Sequence, residues 1–145
     1  MNAIVDVPVP LNETVLGYAP GSKERAGIES ALERMASEDP LELTATINGM
    51  SKQASGDSFD VTMPSDRSHV LGHSAHATRA DALEAIEAAL AAAPRWAELG
   101  FEQRASVFLR AADLLAGPWR DTLNAATMLG QGRQCSRPKS MRPAN

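Results

Sequence analysis

Arg104-Ala105-Ser106-Val107-Phe108-Leu109-Arg110-Ala111-Ala112-Asp113-Leu114-Leu115, followed at once by Ala116-Gly117-Pro118-Trp119-Arg120, is the stretch on which the reading of this 145-residue chain turns. Ala105, Phe108, Leu109, Ala112 and Leu115 recur at spacings of three and four, the period of a helix with one apolar face. Gly100 can cap its start. Gly117-Pro118 ends it and opens another helix, because proline suits a first helical position. Leu123, Ala126 and Leu129 give that next helix its own stripe, with Gly130 as its expected C-terminal cap.

Upstream, Thr78 with Asp81 three residues on resembles a capping box. Leu83, Ile86, Leu90 and Ala93 then form a stripe that should run to Pro94, with Trp96 and Leu99 closing a short turn. Before this lies a β region. Leu43, Ala45 and Ile47 alternate, Asn48-Gly49 is a turn signal, Phe59, Val61 and Met63 alternate again, and His69-Val70-Leu71-Gly72 can form a third strand after Pro64-Ser65-Asp66. A two- or three-stranded antiparallel unit of this size is marginal alone. Ser22 can cap a helix to about Ser37, with Ile28, Ala31, Leu32 and Met35 on one side and Asp39-Pro40 ending it. Residues 1–20, with Pro8, Pro10 and Pro20, read as an extended arm. The expected fold class is an α+β unit of arm, helix, small antiparallel β unit and three helices.

Composition narrows the setting. Hydrophobic residues make up 43% and charged residues 22%, ordinary for a soluble domain, but the apolar count leans on alanine and predicts a thin core. No apolar run approaches the length needed to span a bilayer, and Met1–Pro8 has no signal-peptide pattern. Cys135 stands alone, so a reducing, cytoplasmic setting fits. The net charge of −4 hides an asymmetry: Arg133, Arg137, Lys139 and Arg142 crowd the last thirteen residues without an acid, which leaves −8 on residues 1–132. Such a body should repel nucleic acid and anionic membrane. The tail, containing Pro138 and Pro143, reads as disordered.

Each candidate for chemistry has a plainer reading. His69, His73 and His76 are the only clustered metal-type ligands, but on a strand His76 points away from the other two and nothing completes a tetrahedral set; they read as solvated histidines. Cys135 has no base or oxyanion donor placed around it and reads as an incidental thiol. Gly130-Gln131-Gly132 follows a helix and lacks the spacing of a phosphate loop. Arg95-Trp96 and Trp119-Arg120 read as packing positions with the rings buried and the guanidinium heads wet. No catalytic, cofactor-binding or metal-binding residue is assigned.

The order of elements resembles the start of an aldehyde dehydrogenase: Ile47-Asn48-Gly49, the Phe59–Pro64 strand, Thr78-Arg79-Ala80-Asp81 and Pro94-Arg95-Trp96. The opening stretch, with Asn124-Ala125-Ala126-Thr127-Met128-Leu129-Gly130-Gln131-Gly132, looks like the delta-1-pyrroline-5-carboxylate dehydrogenase (L-glutamate gamma-semialdehyde dehydrogenase) branch. So does the arm, through Val7-Pro8-Val9-Pro10-Leu11-Asn12-Glu13 and Tyr18-Ala19-Pro20-Gly21-Ser22. The resemblance covers residues 1–132, as the N-terminal segment of an α/β aldehyde dehydrogenase domain, and sets residues 133–145 apart as a non-family tail.

In that family the text after Gly-Gln-Gly continues Lys-Thr-Val-x-Gln-Ala-Glu-Ile-Asp-Ala-Ala-Cys-Glu. Permitted codons for Arg133 to Asn145, read two bases later, give Thr-Val-Gln-Gln-Ala-Glu-Ile-Asp-Ala-Ala-Cys-Glu. Outside the arginine and serine codons, which have two boxes each, the first two bases were fixed and all fit, so a frameshift near the codon after Gly132 is expected. The resemblance implies a longer, homo-oligomeric, NAD-dependent enzyme that oxidises L-glutamate gamma-semialdehyde to glutamate in proline catabolism. Its catalytic cysteine and glutamate, oxyanion asparagine and NAD-binding strands would lie downstream, with no counterpart here, so this chain is expected to be inactive alone. The competing expectation is an interaction module that binds a full-length aldehyde dehydrogenase subunit or another copy of itself.

Overall fold

The computed structural model describes Val9 and residues 11–133. The expected tail disorder and Cys135 therefore lie outside the described residues, apart from Arg133. Helix α1 spans Lys23–Ser37. Its start is set by the Ser22 side chain, which accepts from the Arg25 amide at 3.2 Å. Its end falls at Glu38, just before the Asp39-Pro40 pair that disfavours helical backbone.

Five strands follow: β1 (Leu41–Glu42), β2 (Ala45–Ile47), β3 (Met50–Lys52), β4 (Ser58–Met63) and β5 (Asp66–Ala75). Asn48 and Gly49 both have positive φ, 52° and 75°, the backbone of a tight two-residue hairpin turn. That turn pairs Ile47 with Met50, so β2 and β3 form a sheet of their own. β4 and β5 pair antiparallel through the Pro64-Ser65 turn, with the register slipping between Val61 and Met63. The expected short strand at residues 69–72 is the middle of the ten-residue β5.

The second sheet departs from the antiparallel expectation at one edge, because β1 runs parallel to β5. Gly72 explains how. A Cβ there would sit 2.7 Å from the Leu41 carbonyl oxygen, so only a residue without a side chain lets the two backbones approach.

Helix α2 runs Arg79–Glu98, through Pro94 and not to it. The bond proline cannot donate would reach the carbonyl of Leu90, a residue 68% exposed, where water can take its place. Helix α3 covers Phe101–Ala116 and α4 covers Arg120–Gln131. Pro118 does not begin α4, since it sits in the Gly117–Trp119 turn ahead of the helix. Gly130 is not the cap either. It lies within α4, and Gly132, with φ 64°, takes the left-handed cap position.

The buried core of the described residues is small: Ile28 and Ala31 of α1 against Ala125 of α4, edged by Tyr18, Leu32, Met35 and Met128. The arm is fastened beside it. Arg120 Nη2 donates to the Thr14 carbonyl at 2.9 Å, and Asn124 Nδ2 donates to Tyr18 Oη at 3.1 Å. This reverses the expectation for Trp119-Arg120, whereas Arg95 stays exposed as expected. Trp96 and Trp119 are half-exposed, and the Arg120 guanidinium is the part drawn inward, its Nε buried without a partner. Two exposed acceptors at the end of the arm, Thr14 O and Glu13, draw it there.

Helix α3 leans lightly on α4, and α2 lightly on β2. Their stripes are left open. Leu83, Ile86 and Leu90 on α2 and Phe101, Phe108 and Leu115 on α3 all stand exposed.

Candidate functional site

Asp81 is the one buried charged residue among those described, 6% exposed. It stands in the first turn of α2, where the Thr78-x-x-Asp81 spacing puts its carboxylate back over the cap. Oδ2 accepts from the Thr78 amide and hydroxyl, each at 2.8 Å, and from the Ser55 amide at 3.0 Å. Oδ1 accepts from the Ser55 hydroxyl at 2.7 Å. Lys52 Nζ lies 3.9 Å from Oδ1 and pairs with Glu84, one helical turn further on. Hydrogen bonds from the Ser55 and Thr78 amides hold the Asp81 carboxyl well below the usual carboxylate range, and the bond to Glu84 raises Lys52.

A carboxylate charged so firmly and engaged by four donors is a poor general base. It acts as a staple between the β3–β4 loop and the start of α2. The capping spacing pointed to Thr78 and Asp81. Ser55, 26 residues upstream of Asp81, carries no signal of its own in the sequence.

The other singled-out residues are scattered. His73 Nδ1 contacts Asp60 Oδ1 at 2.8 Å across the β4–β5 pair, His76 stacks on Phe59 with centroids 4.6 Å apart, and His69 lies near Asp66. No three metal-type side chains converge among the described residues. Gly130-Gln131-Gly132 is the end of α4. Arg95 and Trp96 edge an open cleft between α2 and the Asn48 turn, floored by Ala88, Ala91 and Ala92.

The described residues do not fit a dinucleotide. A pyrophosphate is bound by free amides at a helix N-terminus that follows a glycine-rich turn from a strand. Here Ser22 occupies the start of α1 and Thr78 with Asp81 that of α2. The amide ahead of α3 is held by Gln103 Oε1 at 3.1 Å, and α4 carries Asp121 in its first turn. Among the described residues no helix is long and apolar enough to cross a membrane.

Comparison with known proteins supplies what the local chemistry does not. The aldehyde dehydrogenase family model matches residues 50–140, a range that takes in the first part of the segment set apart after Gly132. Delta-1-pyrroline-5-carboxylate dehydrogenase from Agaricus bisporus is 39% identical over 131 residues, which cover 90% of this chain and 24% of that protein. The mitochondrial enzyme of Mus musculus is 34% identical over 122 residues, covering 84% of this chain and 21% of that one. The crystal structure of the delta-pyrroline-5-carboxylate dehydrogenase from Mycobacterium tuberculosis bound with NAD superposes with a TM-score of 0.85 at 50% identity, over 90% of this chain and 24% of the other. The chain thus spans about a quarter of the length of the relatives it matches. With its sequence matched along most of its length and its backbone superposed on that of a solved member, the chain belongs to the aldehyde dehydrogenase family.

Proposed function

We propose that this chain is the N-terminal scaffold of a delta-1-pyrroline-5-carboxylate dehydrogenase: it serves the NAD-dependent oxidation of L-glutamate gamma-semialdehyde to glutamate, and carries none of that chemistry by itself. One observation supports the assignment above the others. Identity of 50% with a TM-score of 0.85 joins 90% of the chain to an NAD-bound member of that branch. The local chemistry agrees with a supporting role, since the best-organised polar group, Asp81, is spent on joining a loop to a helix.

In this reading proline catabolism in the cytoplasm is the setting, and NAD binds to parts of the domain other than residues 11–133. The purified 145-residue chain, given NAD and 1-pyrroline-5-carboxylate, should form no NADH above a blank without protein. Turnover that survives repurification and follows the protein peak would overturn the scaffold reading. Resequencing the codons for residues 133–145 tests the two-frame reading independently, which fails if those codons do not yield the family's continuation.

A further inference from the structure

The tip of the β2–β3 hairpin carries a reactive pair. Asn48 and Gly49 are exposed, both in left-handed backbone with φ of 52° and 75°. The Gly49 amide has no hydrogen-bond partner among the described residues, and a Cβ built at Gly49 would meet nothing within 4 Å. Across an open cleft of about 430 Å³ stand Arg95 and Trp96 of α2. No carboxylate pairs with Arg95 among the described residues. We infer that Asn48 is a spontaneous modification site: it loses its amide through a cyclic imide formed with the Gly49 nitrogen, and the carboxylate that results pairs with Arg95 across the cleft.

The chemistry exchanges ammonia for water. The Gly49 nitrogen gives its proton to solvent and bonds to Asn48 Cγ, the Cγ–Nδ2 bond breaks, and ammonia leaves carrying a proton from water. Water then opens the ring at either carbonyl. Opening at one yields aspartate, and Asp-Gly keeps the same tight turn. Opening at the other yields isoaspartate, whose extra backbone atom does not fit the two-residue turn that pairs Ile47 with Met50. Asparagine is one of the thermolabile side chains, and a glycine after it leaves the attacking nitrogen uncrowded. In a turn of this type, with ψ of roughly +30° at the first central residue, that nitrogen and the asparagine side chain lie on opposite sides of the Cα–C bond. Ring closure therefore waits for the tip to open. The hairpin allows it, being a two-stranded sheet with three residue pairs, marginal by itself. Its anchor lies at the far end, where Lys52 holds Glu84 and Asp81 of α2, so the tip opens first. The inference is independent of the dehydrogenase reading.

The test incubates the full chain at neutral pH beside a synthetic peptide of residues 45–52. Peptide mapping and isoaspartyl methyltransferase labelling follow residue 48. Asn48 in the chain should convert within tenfold of the peptide's rate, and at least tenfold faster than Asn12 or Asn124, whose next residues are Glu13 and Ala125. Gly49→Ala should slow conversion at least tenfold, even where strain at positive φ loosens the turn. Asn48→Asp, in a Trp119→Phe background that leaves Trp96 the sole tryptophan, should cut acrylamide quenching about twofold at low salt, as an exposed ion pair allows. High salt or Arg95→Gln should restore it. The inference is overturned by conversion more than tenfold slower than the peptide's, by comparable loss at Asn12 or Asn124, by undiminished conversion in Gly49→Ala, or by quenching that Asn48→Asp leaves unchanged.

Discussion

Replacing Ile28 by alanine removes three carbons from the largest buried apolar side chain among the described residues, one only 3% exposed. At about 0.8 kcal/mol per buried methylene the transfer loss alone is roughly 2.4 kcal/mol. A cavity would normally add to this. Here its walls are Tyr18, Leu32, Met35 and Met128, all only partly buried and able to lean inward, so the addition is small. The expected loss is about 2–3 kcal/mol, a large part of the roughly 5–15 kcal/mol that holds an ordinary domain. Urea unfolding of the full chain followed by circular dichroism measures it, with trimethylamine oxide present to secure the folded baseline. Leu90→Ala is the internal comparison, since an exposed leucine should change stability by no more than about 0.5 kcal/mol. If Ile28→Ala costs under about 1 kcal/mol while Leu90→Ala costs more, α1 against α4 is not the core and the α2 face is covered in solution.

Asp81→Asn should lower the melting temperature and flatten its acid limb. The folded carboxyl titrates below its unfolded value of about 3.9, so its contribution is complete above that pH and lost as pH falls through the depressed folded value. A scan of melting temperature from pH 7 to pH 2 on both proteins decides, and parallel curves would deny the staple its charge. Gly72→Ala should cost about 1–3 kcal/mol and expose the Leu43 amide, which donates to the His73 carbonyl at 2.8 Å, to faster hydrogen exchange. Unchanged protection at Leu43 would mean that β1 does not depend on the close approach. Arg120→Met should free the arm, seen as faster proteolysis between residues 11 and 19 with α1 still protected; equal cleavage rates would show that Thr14 and Glu13 do not hold it.

Helix positions were legible because their signals are local. Ser22, Thr78 and Gly100 stand at the starts of α1, α2 and α3, and spacings of three and four mark their stripes. Asn48-Gly49 is likewise a turn wherever it occurs, yet its partner strand depends on which residues follow, and Met50 lies closer than Phe59. The parallel β1–β5 pair was hidden because it depends on the absence of a side chain at Gly72, which turn-and-strand patterns do not register. Pro94 misled for a related reason. Proline's cost depends on whether the orphaned carbonyl meets water or protein, and that is decided by neighbours far along the chain. The stripes told which residues are apolar and not what covers them, and Leu83, Ile86 and Phe108 stand in solvent. The staple at Asp81 was half visible, since its cap is three residues long and its second anchor is a serine like any other.

The two hydrogen bonds that fasten the arm to α4 each bridge 106 residues of chain. Synthesis at about 5–20 residues per second means that the arm and α1 wait roughly 5–20 s for the helix that shelters them. Through that interval Ile28 is as exposed as Leu90 remains afterwards. A chaperone that reads apolar helix faces would therefore meet α1 first and briefly, and α2 and α3 for as long as nothing else covers them.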